Sequence, residues 1–292
     1  MKSAVRLLGL FVMVISTAAA GERQRVAEVP MILWGASPAV EVMVNGQGPF
    51  RFVLDTGAGG TVVSEALAAR LNFPVEGETQ VSDGSGRRVT SKRVRVESVR
   101  VGPLEFNKLS ANLGALAGPP GMDDPVDGIL AFPLFREYLL TLDFPGAQVR
   151  IERGELPAPN GAERIAWRSV HGTPMILAWI GDLPMEVHLD TGNRGKMGLL
   201  LPEDVVSRLA KDGEPEPAGK ARSVTGEFDV FTVRLRDTLR IGKHEFPSPT
   251  ARYSSHGLRP NVGAALLHNF VVTLDQKNRV VELQRVAAVA ER

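Results

Sequence analysis

Two segments of the chain align without a gap: NGQGPFRFVLDTG (45–57) and IGDLPMEVHLDTG (180–192). Superposing Asp55 on Asp190 also places Gly46 on Gly181, Pro49 on Pro184 and Leu54 on Leu189. Downstream, SEALAARL (64–71) matches PEDVVSRL (202–209), and RVRVESVRVGPLEF (93–106) resembles TVRLRDTLRIGKHEF (232–246). The ends of the two halves agree again, with Leu134 on Leu266, Leu140 on Val272, Thr141 on Thr273, Leu142 on Leu274 and Asp143 on Asp275. A repeat of roughly 120 residues is too long for a solenoid unit and suits a duplicated domain. The 292 residues suffice for two such units, each with its own core.

Each half shares one coarse plan. Residues 38–44 and 50–54 are apolar, β-prone runs around NGQG, which predicts a hairpin. After DTG a short strand leads into a helix of about eight residues, capped by Ser64 and striped with Leu67, Ala68 and Leu71. Residues 79–101 read as two long strands around Asp83-Gly84-Ser85-Gly86, and 138–142 with 148–152 as a closing hairpin. The second half repeats this, with its shorter hairpin at Thr225-Gly226-Glu227. The Pro- and Gly-rich stretch 211–220 (KDGEPEPAGK) reads as an exposed loop.

The first twenty residues stand apart. Lys2 and Arg6 precede the apolar run Leu7–Ile15, and Ala18-Ala19-Ala20 is a small-residue cleavage site, so 1–20 is expected to be a signal peptide. The expected organisation is then leader 1–20, first lobe 21–152, polar linker 153–165 and second lobe 166–292. The expected location is the periplasm or the exterior. A retained N-terminal anchor is the alternative. No later stretch is long and apolar enough for a membrane span.

Composition excludes several chemistries. With 34 basic and 33 acidic residues there is no electrostatic footprint for nucleic acid. The chain has no Cys, hence no thiol nucleophile, disulfide or Cys-ligated metal. Its five His show no metal-ligand spacing. Gly57-Ala58-Gly59-Gly60 lacks the Lys and spacing of a phosphate cradle, and no GxSxG is present. No metal or cofactor is expected.

NGQGPFRFVLDTGAGGTVVS and VDGILAF (126–132), with their counterparts MEVHLDTG and NVGAALLHNF, resemble the retropepsin-like aspartic peptidases. The resemblance runs from about residue 30 to 285. It implies an all-β fold of two homologous β-barrel lobes, each with one short helix, and an active cleft between them. It implies an endopeptidase acting on peptide or protein substrates, with Asp55 and Asp190 as the catalytic pair in a monomeric pseudo-dimer. In such proteins the Thr hydroxyls, here Thr56 and Thr191, bond across the two loops, and a hairpin, here Asp83, Gly84, Ser85 and Gly86, closes over the substrate.

The chemistry needs carboxyls in contact. Two charges about 3 Å apart repel by roughly 5 kcal/mol at an effective dielectric of 20, or about four pKa units, so the pair shares one proton. The ionised member takes a proton from water and the protonated member polarises the carbonyl. Gly57 and Gly192 let backbone N–H groups approach the carboxylates. The residue after each DTG differs, Ala58 in one half and Asn193 in the other. Asn193 either donates to Asp190 or crowds it. The ILA of 129–131 faces NVG at 261–263, with Ala131 where Gly is expected and polar Asn261 where an apolar residue is usual. His188, two residues before Asp190, shares its strand face; it is either a partly exposed strand residue or a perturber of the pair. Two other arrangements remain open at this stage: a homodimer using Asp55 alone, and a non-catalytic peptide-binding or scaffold protein.

Overall fold

The structure, a computed structural model, describes residues 23–82, 88–116, 125–223, 226–254 and 259–286. The expected leader, the hairpin tip Asp83–Gly86 and Thr225 lie outside the described residues.

The first half supplies β1 (Gln24–Pro30), β2 (Ile32–Trp34), β3 (Ser37–Val44), β4 (Gln47–Asp55), β5 (Val62–Ser64), α1 (Glu65–Arg70), β6 (Val75–Ser82), β7 (Arg88–Val101), β8 (Leu104–Gly114) and β9 (Gly128–Ala131). A 3-10 turn (Phe132–Phe135) then leads to β10 (Leu139–Asp143) and β11 (Gln148–Arg153). The second half supplies β12 (Arg164–Val170), β13 (Thr173–Ile180), β14 (Leu183–Asp190), β15 (Leu199–Pro202), α2 (Glu203–Ser207), β16 (Lys211–Ser223) and β17 (Gly226–Leu235). It continues through β18 (Leu239–Ile241), β19 (His244–Phe246), β20 (Thr250–Ser254), β21 (Asn261–Gly263), a 3-10 turn (Ala264–Leu267), β22 (Phe270–Asp275) and β23 (Val280–Arg285). The fold is all-β, built as two acid-protease-like lobes.

Local sequence explains the pieces that carry the site. Asn45 and Gly46 both take positive φ, 49° and 75°, the conformation a two-residue hairpin loop requires, so β3 and β4 pair directly across them. The buried side of this hairpin is Val40, Val42, Phe52 and Leu54. Helix α1 starts where Ser64 Oγ accepts from the Leu67 N–H at 3.0 Å. Glu65 and Arg70 sit at the ends that favour their charges, and Leu67 and Ala68 face the core. Helix α2 begins at Pro202 with no side-chain cap and is one residue shorter.

Among the described residues, β2–β9 form one sheet in the order β2-β3-β4-β9-β5-β8-β7-β6. The remaining strands form a larger sheet, and its run β1-β11-β10-β22-β23-β12 takes three strands from each half. At its centre Leu140 pairs with Leu274, Thr141 with Thr273 and Leu142 with Val272. In the sequence alignment of the halves these same residues are equivalent in reversed order, with Thr141 on Thr273. This is the register of a two-fold axis passing between the two threonines. Their hydroxyls are 3.0 Å apart and buried. One contiguous apolar core runs through both lobes, from Phe52, Leu54 and Phe135 to Ile176, Leu189 and Phe270.

The stretch 211–220, expected as a loop, is instead most of β16. It is the outermost strand of its sheet and pairs only with β17. Its register shifts between Asp212 and Glu216 and again between Pro217 and Lys220. An edge strand with bulges tolerates proline because its missing N–H faces no second neighbour.

Candidate active site

Asp55 ends β4 and Asp190 ends β14, each beside a parallel strand: Asp55 pairs with Ala131 of β9, and Asp190 with Gly263 of β21. The two carboxyl-bearing strand ends are thus held by equivalent parallel neighbours. The loops are locked to each other by four buried hydrogen bonds. Thr56 N–H donates to Thr191 Oγ1 at 3.0 Å, and Thr191 N–H donates to Thr56 Oγ1 at 2.9 Å. The Thr56 hydroxyl donates to Leu189 O at 2.7 Å, and the Thr191 hydroxyl to Leu54 O at 2.6 Å. Each hydroxyl thus serves as acceptor and donor at once, and neither side chain is reachable by water.

Residues that are far apart in the chain therefore meet. The Asp55 and Asp190 carboxyls are within hydrogen-bonding reach of each other. Gly57 and Gly192 lie against them crosswise: a Cβ on Gly57 would stand 2.4 Å from Asp190 Cγ, and one on Gly192 2.2 Å from Asp55 Cγ. Only residues without a side chain fit between the loops. Gly57 N–H donates to Asp55 Oδ1 at 2.7 Å, and Gly192 N–H to Asp190 Oδ1 at 2.9 Å.

Burial raises the Asp55 carboxyl well above the usual range, and the Asp190 charge pushes it further the same way, against the N–H groups of Gly57 and Ala58. Asp55 therefore keeps a proton where an ordinary aspartate has lost it. Burial holds His188 below its ordinary value; Arg259 acts in the same direction and Asp190 opposes. Its Nε2 is buried with no hydrogen-bond partner among the described residues, and its ring lines the cleft beside Asp190.

The cleft has a volume of about 1790 Å³, with both carboxyls on its wall. That exceeds the few hundred to one thousand Å³ typical of small-molecule pockets. Strands β6, β7 and β8 line it from the first lobe, through residues such as Gln80, Thr90 and Ser110. His171, Arg259 and Asn261 line it from the second lobe. A smaller apolar cavity of about 350 Å³ between β1, β3 and β7 lies away from the carboxyls.

The structure brings together Asp55, Thr56, Gly57, Ala58, Asp190, Thr191, Gly192 and Asn193, all singled out in the sequence. Residues 40–134 match the family model described as aspartyl protease. That segment belongs to the aspartyl protease family. No curated protein matches the chain. The matched aspartyl protease segment carries Asp55, the capped helix α1 and β9, and so spans the first-lobe half of the site.

Asn193 neither crowds Asp190 nor reaches it with its side chain. Its backbone N–H donates to Asp190 Oδ1 at 3.1 Å, while its Nδ2 donates to Asn261 Oδ1 at 2.9 Å. Asn261 Nδ2 in turn donates to Asp190 Oδ2 at 2.5 Å. The room for Asn193 comes from Gly263, where a Cβ would stand 2.8 Å from Asn193 Cγ. The first lobe has the smaller Ala58 at this place and accommodates Ala131. Asn261 was visible in the sequence only as a polar residue in an apolar strand. The signal that points to it is the coincidence of two asparagines at matched departures from the first lobe.

Among the described residues no group of His, Asp and Glu is arranged to hold a metal ion, and no helix is long and apolar enough to cross a membrane.

Proposed function

We propose that the chain is an exported aspartic endopeptidase, monomeric, made by duplication of one lobe, in which Asp55 and Asp190 form a single catalytic pair. The observation that carries this reading is the meeting of the two carboxyls, on loops locked by Thr56 and Thr191, at the wall of an open cleft. A water held between the carboxyls gives a proton to the ionised one as its oxygen attacks the peptide carbonyl carbon. The protonated one passes its proton to the carbonyl oxygen. Collapse of the tetrahedral intermediate returns that proton to a carboxylate, breaks the C–N bond and releases the amine with the other proton. Peptide and water become acid and amine, and the pair again holds one proton. The cleft volume and its β-strand walls suit an extended polypeptide.

The test combines solution mass with Asp55→Asn and Asp190→Asn assayed on a denatured protein substrate. Both variants are expected to be folded, monomeric and inactive. Retained activity in Asp190→Asn would overturn the single-chain pair in favour of a homodimer using Asp55 alone. A folded wild-type protein that binds peptides without cleaving them from pH 3 to 8 would overturn the enzyme reading altogether.

A further inference from the structure

The two halves of the carboxyl pair are built alike up to DTG and unlike beyond it. Where the second lobe has Asn193 and Asn261, the first has Ala58 and Ile129. In the second lobe the two amides form a chain whose direction is fixed at one end. The Gly195 backbone N–H can only donate, and it donates to Asn193 Oδ1 at 3.2 Å. Asn193 must then present its Nδ2 to Asn261 Oδ1, and Asn261 must present its Nδ2 to Asp190 Oδ2. With Gly192 and Asn193 N–H groups on Oδ1, both oxygens of Asp190 receive N–H donors. Asp55 receives the backbone N–H groups of its own loop.

We propose that Asn193 and Asn261 are positioning residues that keep Asp190 as the ionised member of the pair and so leave the shared proton on Asp55. This rests on the reading of the two carboxyls as one catalytic pair. The assignment of roles is then fixed by the fold before substrate arrives, through a donor that an apolar residue in the first lobe cannot supply. The charged and titratable groups around Asp190 are Asp55 across the loops, His188 on its own strand and Arg259 just before β21. Arg194 lies within the 193–198 loop and Arg252 of β20 packs against it. Asp55 is the group whose carboxyl bonds to that of Asp190.

The test is the pH dependence of kcat and kcat/KM for Asn261→Ile, which installs the first-lobe residue, and for Asn193→Ala, which removes only the orienting amide. Loss of a donor to a charged oxygen is expected to move the acidic limb of both profiles upward by about one to two pH units for Asn261→Ile. A smaller shift in the same direction is expected for Asn193→Ala. Asn193→Asp, of equal size, reverses the chain: Asn261 turns its Nδ2 to the new carboxylate and its oxygen to Asp190, and the limb is expected to move upward again. If Asn261→Ile does not fold, the two Asn193 variants decide the matter. Variants that are folded and slower but whose limbs stay within about 0.3 of wild type would overturn the proposal and leave the asparagines a packing role. Activity surviving in Asp190→Asn would instead overturn the pair itself.

Discussion

Replacing Thr191 by Val tests the join between the loops without touching a carboxyl. Val fills the same space and removes only the hydroxyl. Two bonds go with it: the acceptor for Thr56 N–H at 3.0 Å and the donor to Leu54 O at 2.6 Å. Thr191 has no solvent exposure and Thr56 almost none, so no water can take over. An orphaned buried backbone group costs about 1–3 kcal/mol, so the pair is expected to cost about 2–6 kcal/mol. For a chain of this size that lowers Tm by roughly 5–20 °C. Thr191→Ser keeps both bonds and gives up one methyl, a loss of about 1 kcal/mol. Urea and thermal unfolding of the two variants side by side isolate the hydroxyl. A Val variant that melts within about 2 °C of the Ser variant would refute the claim that these bonds fasten the lobes.

Gly192→Ala is expected to lower kcat/KM at least about 100-fold, because a Cβ 2.2 Å from Asp55 Cγ forces the loops about 1 Å apart; steady-state kinetics on the folded variant checks this. Asp55→Asn is expected to alter stability with a defined sign. The folded-state pKa of Asp55 is raised, so its contribution is fully present below the unfolded value near 3.8 and is lost as pH rises through the folded value. Urea midpoints should therefore place the Asp55→Asn variant level with wild type in acid and above it at about pH 7–8.

Much of the fold was legible because it is written twice. The alignment puts Thr141 on Thr273, but that this equivalent pair lies on the two-fold axis and joins the halves is a long-range fact only the structure shows. The Ser64 cap and the Asn45-Gly46 turn were readable from local chemistry. The strand Lys211–Ser223 was not, since Pro215, Pro217 and the flanking Gly213 and Gly219 carry the composition of a loop. Only its outer place in the sheet, a long-range fact, makes them acceptable. The link of Asn193 to Asn261 was hidden for a similar reason. Sixty-eight positions separate the two residues, and a hydrogen-bond direction is set by contacts no single strand reveals.

The ladder between β10 and β22 also decides how a chain gains entry. Because continuous backbone hydrogen bonding and a buried threonine pair join β10 to β22, swinging the lobes apart there would have to break that ladder. On the proposed peptidase reading, a guest would then enter along the cleft, past the β6 and β7 residues that line it. On that same reading, folded proteins without a loose tail or an extended loop are expected to be poor guests, so accessibility of the target segment would govern selection.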